Sequence, residues 1–86
     1  MKDKEYILKT IAEIIVRLGH GNFTEMDSLL DSLREKTSSC SVSIQEDILD
    51  FIQQVEFQKE YDLEHLVTKE IQESADKLIK DLKSVT

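Results

Sequence analysis

The 86 residues contain no proline and no tryptophan, and the only two glycines, Gly19 and Gly21, flank His20. Sheet proteins reverse direction every ~8–12 residues with the help of Gly, Pro or Asn. Between Asn22 and Thr86 there is no further residue of these three types, so an all-β fold is excluded and long helices are not interrupted. Cysteine is nearly absent as well. Cys40 stands alone, which rules out an internal disulfide, and its setting in Thr37-Ser38-Ser39-Cys40-Ser41 predicts a loop thiol without a catalytic role. No apolar run approaches the ~18 residues of a membrane span. The charges at Lys2, Asp3, Lys4 and Glu5 have no apolar signal segment behind them, so the expected location is cytoplasmic.

What is present is suited to one packed domain covering residues 1–86. Apolar residues make up 40% of the chain and charged residues 34%, enough of the first to build a core in a chain too short for two domains. The net charge of −7 is concentrated in the middle. Between Thr24 and Leu63 ten acids face only Arg34, Lys36 and Lys59, and the flanks nearly cancel. Nucleic acids and anionic lipids bind through Lys and Arg that neutralise phosphate, so neither is expected as a partner. A charged partner of this surface should be basic.

Periodicity places four helices. At about 100° per residue, Ile7, Leu8, Ile11, Ala12, Ile14, Ile15 and Leu18 cover one unusually wide side of a first helix near 4–18, with Gly19 as the expected C-terminal cap. A second helix near 24–36 should be capped by Asn22 or Thr24 and carry Met26, Leu29, Leu30 and Leu33 inward. Ser43 and Glu46 have the spacing of a capping box and open a third helix, near 44–57, with the stripe Ile44, Ile48, Phe51, Ile52 and Val55. The stripe Val67, Ile71, Ala75, Leu78, Leu82 and Val85 lies roughly 140° out of phase with it, more than helical drift explains. A break between Glu56 and Asp62 is therefore expected, with Asp62 capping a fourth helix near 63–84, although no residue in 44–84 forbids one long rod. Short connections make neighbouring helices antiparallel. The fold class is an all-α, up-and-down bundle of about four helices, which homodimerisation through the exposed stripe of a projecting fourth helix and the wide face of the first would complete.

Little here points to catalysis. His20, at a helix end between two glycines, is explained by capping, and His65 has no second ligand at metal-binding spacing. Glu46, Asp47 and Asp50, like Asp27 and Asp31, read as acids on solvated faces, and neither glycine belongs to a calcium or phosphate loop. No enzyme activity, metal or cofactor is expected.

Two short segments carry resemblances. Asp27-Ser28-Leu29 is similar to the Asp-Ser-Leu of acyl carrier proteins, small acidic helical bundles in which the serine at the start of a helix carries phosphopantetheine. The resemblance covers three residues and implies Ser28 as the attachment point. It departs from the family in having only about eight residues between Gly19 and Ser28 and no glycine before Asp27. His65-Leu66-Val67-Thr68-Lys69 resembles the His-x-x-Lys-Gly of histidine phosphotransfer domains, with the lysine one place late and no glycine after it. That resemblance implies His65 as phosphoacceptor and Lys69 as the stabilising charge.

With catalysis set aside, the sequence predicts a non-catalytic protein–protein interaction module: a small acidic adaptor, chaperone, inhibitor or regulator that holds another protein against a helix face. The off-stripe apolar residues Phe57, Tyr61, Leu66 and Ile79 are the candidate interaction surface. A covalent carrier or phosphorelay intermediate, acting through Ser28 or His65, is the competing class.

Overall fold

The computed structural model describes residues 3–61 and 69–84, with side chains for 3–60 and 69–84. These residues form four helices and no strand: α1 (Lys4–Gly19), α2 (Met26–Thr37), α3 (Val42–Tyr61) and α4 (Lys69–Ser84). Each helix packs on its neighbour in the chain, α1 also closes against α4, and among the described residues the backbones of the diagonal pairs stay more than 8 Å apart. All three sequential pairs are antiparallel, as their cross-links show. Arg17 at the end of α1 meets Glu25 before α2 (3.4 Å), and Lys36 near the end of α2 meets Asp3 before α1 (3.7 Å). Arg34 and Asp27 of α2 pair with Glu56 and Lys59 of α3, and Asp47 and Asp50 of α3 pair with Lys77 and Ser74 of α4. The fold is the expected up-and-down four-helix bundle. The same pairing answers the question of a continuous rod, because α3 and α4 fold back on each other.

The core takes the centre of each stripe read from the sequence, while Leu8, Ile15 and Leu29 are half-buried at the edges, Ala12 is exposed, and Val67 and Val85 lie outside the described residues. Ile7, Ile11, Ile14 and Leu18 of α1 meet Met26, Leu30 and Leu33 of α2, Ile44, Ile48, Phe51, Ile52 and Val55 of α3, and Ile71, Ala75, Leu78 and Leu82 of α4. Two threonines beside it find partners close by. Thr10 and Thr37 each donate to the carbonyl four residues back (2.8 Å to Tyr6 and to Leu33), the usual way for a threonine to sit inside a helix without an unmet hydroxyl.

Local chemistry at the helix ends differs from the sequence expectation in four places. Gly19 is the last helical residue of α1, not its cap; Gly21 takes the left-handed conformation (φ 65°). The N–H of Gly21 donates to Leu18 O (3.0 Å) and that of Asn22 to Arg17 O (2.9 Å), the two bonds of a Schellman motif, which is centred on the residue after the cap. Asn22 accepts from the N–H of Thr24 (3.1 Å) in a local turn, so it is spent before α2 begins. The residue preceding α2 is Glu25, held at φ 66° without a side-chain cap bond, so neither Asn22 nor Thr24 caps the helix. Finally, α3 begins at Val42, which puts Ser43 inside its first turn and leaves the capping box unformed; Gln45 instead donates to the carbonyls of Ser41 through its N–H (2.9 Å) and Cys40 through Nε2 (2.9 Å). The cap expected at Asp62 lies outside the described residues.

Candidate interaction surface

Burial by the core leaves few large apolar side chains in solvent. Among the described residues they are Tyr6, Val16, Val42, Leu49 and Phe57. Three of the five belong to α3. With Ile44 set at the centre of its buried side, Val42, Leu49 and Phe57 fall at roughly 160°, 140° and 220°, all on the side turned away from the bundle. They recur at seven and eight residues, or about 10 and 12 Å along the helix. Glu46, Gln53 and Glu60 stand exposed between and beside them, with Glu56 at one edge and Asp50 at the other.

The charge on this face has one sign. The only base of α3 is Lys59, which sits nearer the core and is tied to Asp27 of α2. Arg34 reaches across from α2 to Glu56 (2.7 Å) and also holds Asp31 (3.1 Å). The hydrogen bond it donates to Glu56 is the foremost reason its guanidinium is held even more firmly charged than usual. Glu46 and Glu60 thus border an apolar strip with no base between them among the described residues.

Next to this face, a shallow groove of about 290 Å³ runs between α3 and α4, lined by Asp50, Gln54, Glu70, Glu73, Ser74 and Lys77. Ser74 donates to Asp50 across it (2.7 Å). Below the groove lies Asp47, which the sequence places on a solvated face. It is only 6% exposed, because it flanks the buried stripe on the side where α4 packs. Lys77 Nζ approaches its Oδ1 (3.3 Å), and Oδ2 has no close hydrogen-bond partner among the described residues. Burial pushes the Asp47 carboxyl above the ordinary carboxylate range, and hydrogen bonding and charge from neighbouring Asp81 act in the same direction, against the pull of Lys77.

Of the four residues that the sequence offers as an interaction surface, only Phe57 and Ile79 have described side chains, and these two stand on different helices. Phe57 is exposed on the outer face of α3. Ile79 is half-buried against the core from α4, and at about 100° per residue it falls on the side of that helix opposite Ser74 and Lys77, which face α3. Tyr61 is the last residue of α3, with its side chain outside the described part, and Leu66 lies outside the described residues altogether. Val42 and Leu49 are not in that set, although their seven-residue spacing opposite the Ile44 to Val55 stripe is a usable signal.

The other chemical candidates are dispersed. Ser28 is exposed in the first turn of α2, beside the Asp27 that pairs with Lys59. His65 lies outside the described residues, and His20 is exposed at the end of α1. Cys40 sits in the connection between α2 and α3, as expected of a loop thiol, yet it is buried there, with Sγ 3.4 Å from Lys36 O. Loss of solvent raises its thiol pKa, the dominant influence on it, which makes it a poor nucleophile. No group of three or more His, Cys, Asp or Glu among the described residues could hold a metal ion, and no described helix is long and apolar enough to cross a membrane.

Set against protein-family models, curated proteins and solved structures, the chain matches none.

Proposed function

We propose that this chain is a non-catalytic interaction module that holds a basic, amphipathic helical segment of another protein, working in the cytoplasm. The single observation that supports this reading is the outer face of α3, where Val42, Leu49 and Phe57 stay exposed beside Glu46, Asp50, Gln53, Glu56 and Glu60, with Arg34 of α2 reaching only the Glu56 edge. Apolar side chains left in water on a small domain favour a partner that removes them from it. The one-sided charge selects which partner, because Lys and Arg beside an apolar stripe complement this face and Asp or Glu would be repelled. A partner helix would offer apolar residues about every second turn, matching the two intervals along α3.

A direct test is fluorescence anisotropy with two labelled 18-residue amphipathic peptides, one with leucines backed by lysines and one with the lysines replaced by glutamates. The lysine peptide should bind and weaken as salt rises. Leu49→Lys combined with Phe57→Lys should lower its affinity at least about tenfold, as expected when side chains at the centre of an interface are replaced. Equal binding of both peptides, or an unchanged affinity in the double variant, would remove the reading.

The exposure of Ser28 in the first turn of α2 favours one competing reading, a covalent carrier. Incubation with a phosphopantetheinyl transferase and coenzyme A, followed by intact mass, separates the two. A stoichiometric adduct absent from Ser28→Ala would establish the carrier; for the phosphorelay reading the same measurement uses a phosphodonor and His65→Gln.

A further inference from the structure

The second exposed apolar strip lies on α1, and its surroundings differ from those of α3. The core takes Ile7, Ile11, Ile14 and Leu18. Roughly 120° around the same helix run Leu8, Ala12, Ile15, Val16 and Gly19, by the rotation of about 100° per residue. Leu8 and Ile15 are half-buried towards the core, whereas Ala12, Gly19 and Val16, the last 58% exposed, stand in solvent. The opposite flank of α1 is occupied by α2, through Arg17 with Glu25 and through Lys36, which lies 5.3 Å from the centre of the Tyr6 ring. The strip therefore opens on the α4 side, where half-buried Ile79 continues it.

We infer that this strip is the contact between two copies of the chain, with α1 lying antiparallel on α1 of the second copy and the two crossing at Ala12. The sequence is self-complementary under that operation. Reversing α1 about residue 12 brings Leu8 onto Val16 of the other copy, and sets Ala12 on its own equivalent, where its short side chain allows the backbones to approach closely. Charge agrees with the same register. Lys9 and Glu13 sit together on the outer flank of the strip, and in an antiparallel pair each flank meets its own equivalent. Lys9 of one copy then lies about two residues, or 3 Å, along the axis from Glu13 of the other. Glu13 is positioned for this, because Arg17 holds its Oε1 (3.1 Å) and fixes the carboxylate on the helix surface.

The register forms two equivalent Lys9–Glu13 pairs, one at each side of the crossing, as a two-fold interface requires. A second copy placed on α3 would instead set Glu46, Glu56 and Glu60 against acids, so the two faces have different occupants. The strip is short, twelve residues from Leu8 to Gly19 or about 16 Å, and the contact falls at the small end of specific interfaces. This inference does not depend on the partner assigned to α3.

Sedimentation equilibrium of the full chain between 1 and 500 µM tests it. The weight-average mass should climb from that of one chain towards twice that value. Val16→Glu should weaken association at least tenfold with helicity by circular dichroism unchanged, since Val16 supports no core contact. Lys9→Glu and Glu13→Lys, each alone, place like charges at both pairs and should also dissociate. Mixed in equal amounts, these two variants recover both attractive pairs and should associate more tightly than either alone. A single-chain mass at every concentration overturns the inference, as does a dimer indifferent to Val16→Glu. A mixture no tighter than its components overturns the antiparallel register.

Discussion

Asp47 shows how one residue's setting turns into a property of the whole chain. Its carboxyl is buried between α3 and α4 and its pKa is raised, so at intermediate pH the folded state keeps a proton that the unfolded state has released. Folding then takes up a proton, and the contribution of this group to stability is full below the unfolded carboxylate value. It is lost as pH rises through the raised folded value. Thermal midpoints measured from pH 4 to 8 should carry a component that falls towards neutrality. In Asp47→Asn the amide can donate towards Asp81 at every pH; that component should vanish and the midpoint at pH 7 should rise. An unchanged pH profile in the variant would show that the carboxyl does not titrate in this range. The burial itself is not legible in the sequence. Asp47 lies roughly 60° from the centre of its stripe, a flank position that is wet or dry according to which side the next helix takes.

At the scale of the element, the apolar period marks all four helices, whereas their ends are set by backbone geometry. Both glycines stand at the end of α1, but only Gly21 has a positive φ, and a Cβ added at Gly19 would meet nothing within 4 Å. Gly19→Ala should therefore stabilise the protein by about 0.5–1 kcal/mol through helix propensity. Gly21→Ala should destabilise it by about 1–2 kcal/mol, the cost of a left-handed alanine. Urea midpoints of the two variants should move in opposite directions, and a gain from both would place the cap elsewhere. The sequence favours Gly19 because it comes first after the stripe; a Schellman motif uses the residue beyond the cap, and that offset is a matter of two hydrogen bonds. The unused capping box at Ser43 has a similar cause. Once Gln45 holds the carbonyl of Cys40, α3 starts one residue before the serine, at Val42.

For the molecule as a whole, the bundle divides its apolar residues into those that hold it together and those it leaves in water, and the two sets should respond differently to truncation. Phe51 is the largest fully buried side chain. Phe51→Ala should cost about 3–5 kcal/mol, a large part of the total stability of so small a domain, and lower the thermal midpoint by at least roughly 15 °C. Val42→Ala and Leu49→Ala should stay within about 0.5 kcal/mol of the parent. Calorimetry of the three variants checks this division; a large loss from Leu49→Ala would mean that the outer face of α3 is already covered. Phe51 and Leu49 lie two residues apart on the same helix, and nothing in their chemistry distinguishes them. Their phase relative to the other apolar residues does, which is why the core stripes are readable and the choice of exposed anchors is only partly so. Phe57 stands off the stripe in the sequence and is exposed in the fold. Val42 and Leu49 are exposed too, but Val42 is isolated between two serines and Leu49 directly follows the core residue Ile48, so each becomes an anchor only when the three are seen on one face.

The absence of proline, the lone pair of closely spaced glycines and apolar residues returning once per turn determined an all-helical chain with four inward stripes, because these properties act within a few residues of backbone. Which helix faces which, and so which flank of each stripe is dry, is decided only when the helices pack. That step buried Asp47 against α4. It also left the outer side of α3 acidic and apolar at once, and it opened the α1 strip towards Ile79. These outcomes depend on distances between residues far apart in the chain, which periodicity along a single helix does not encode.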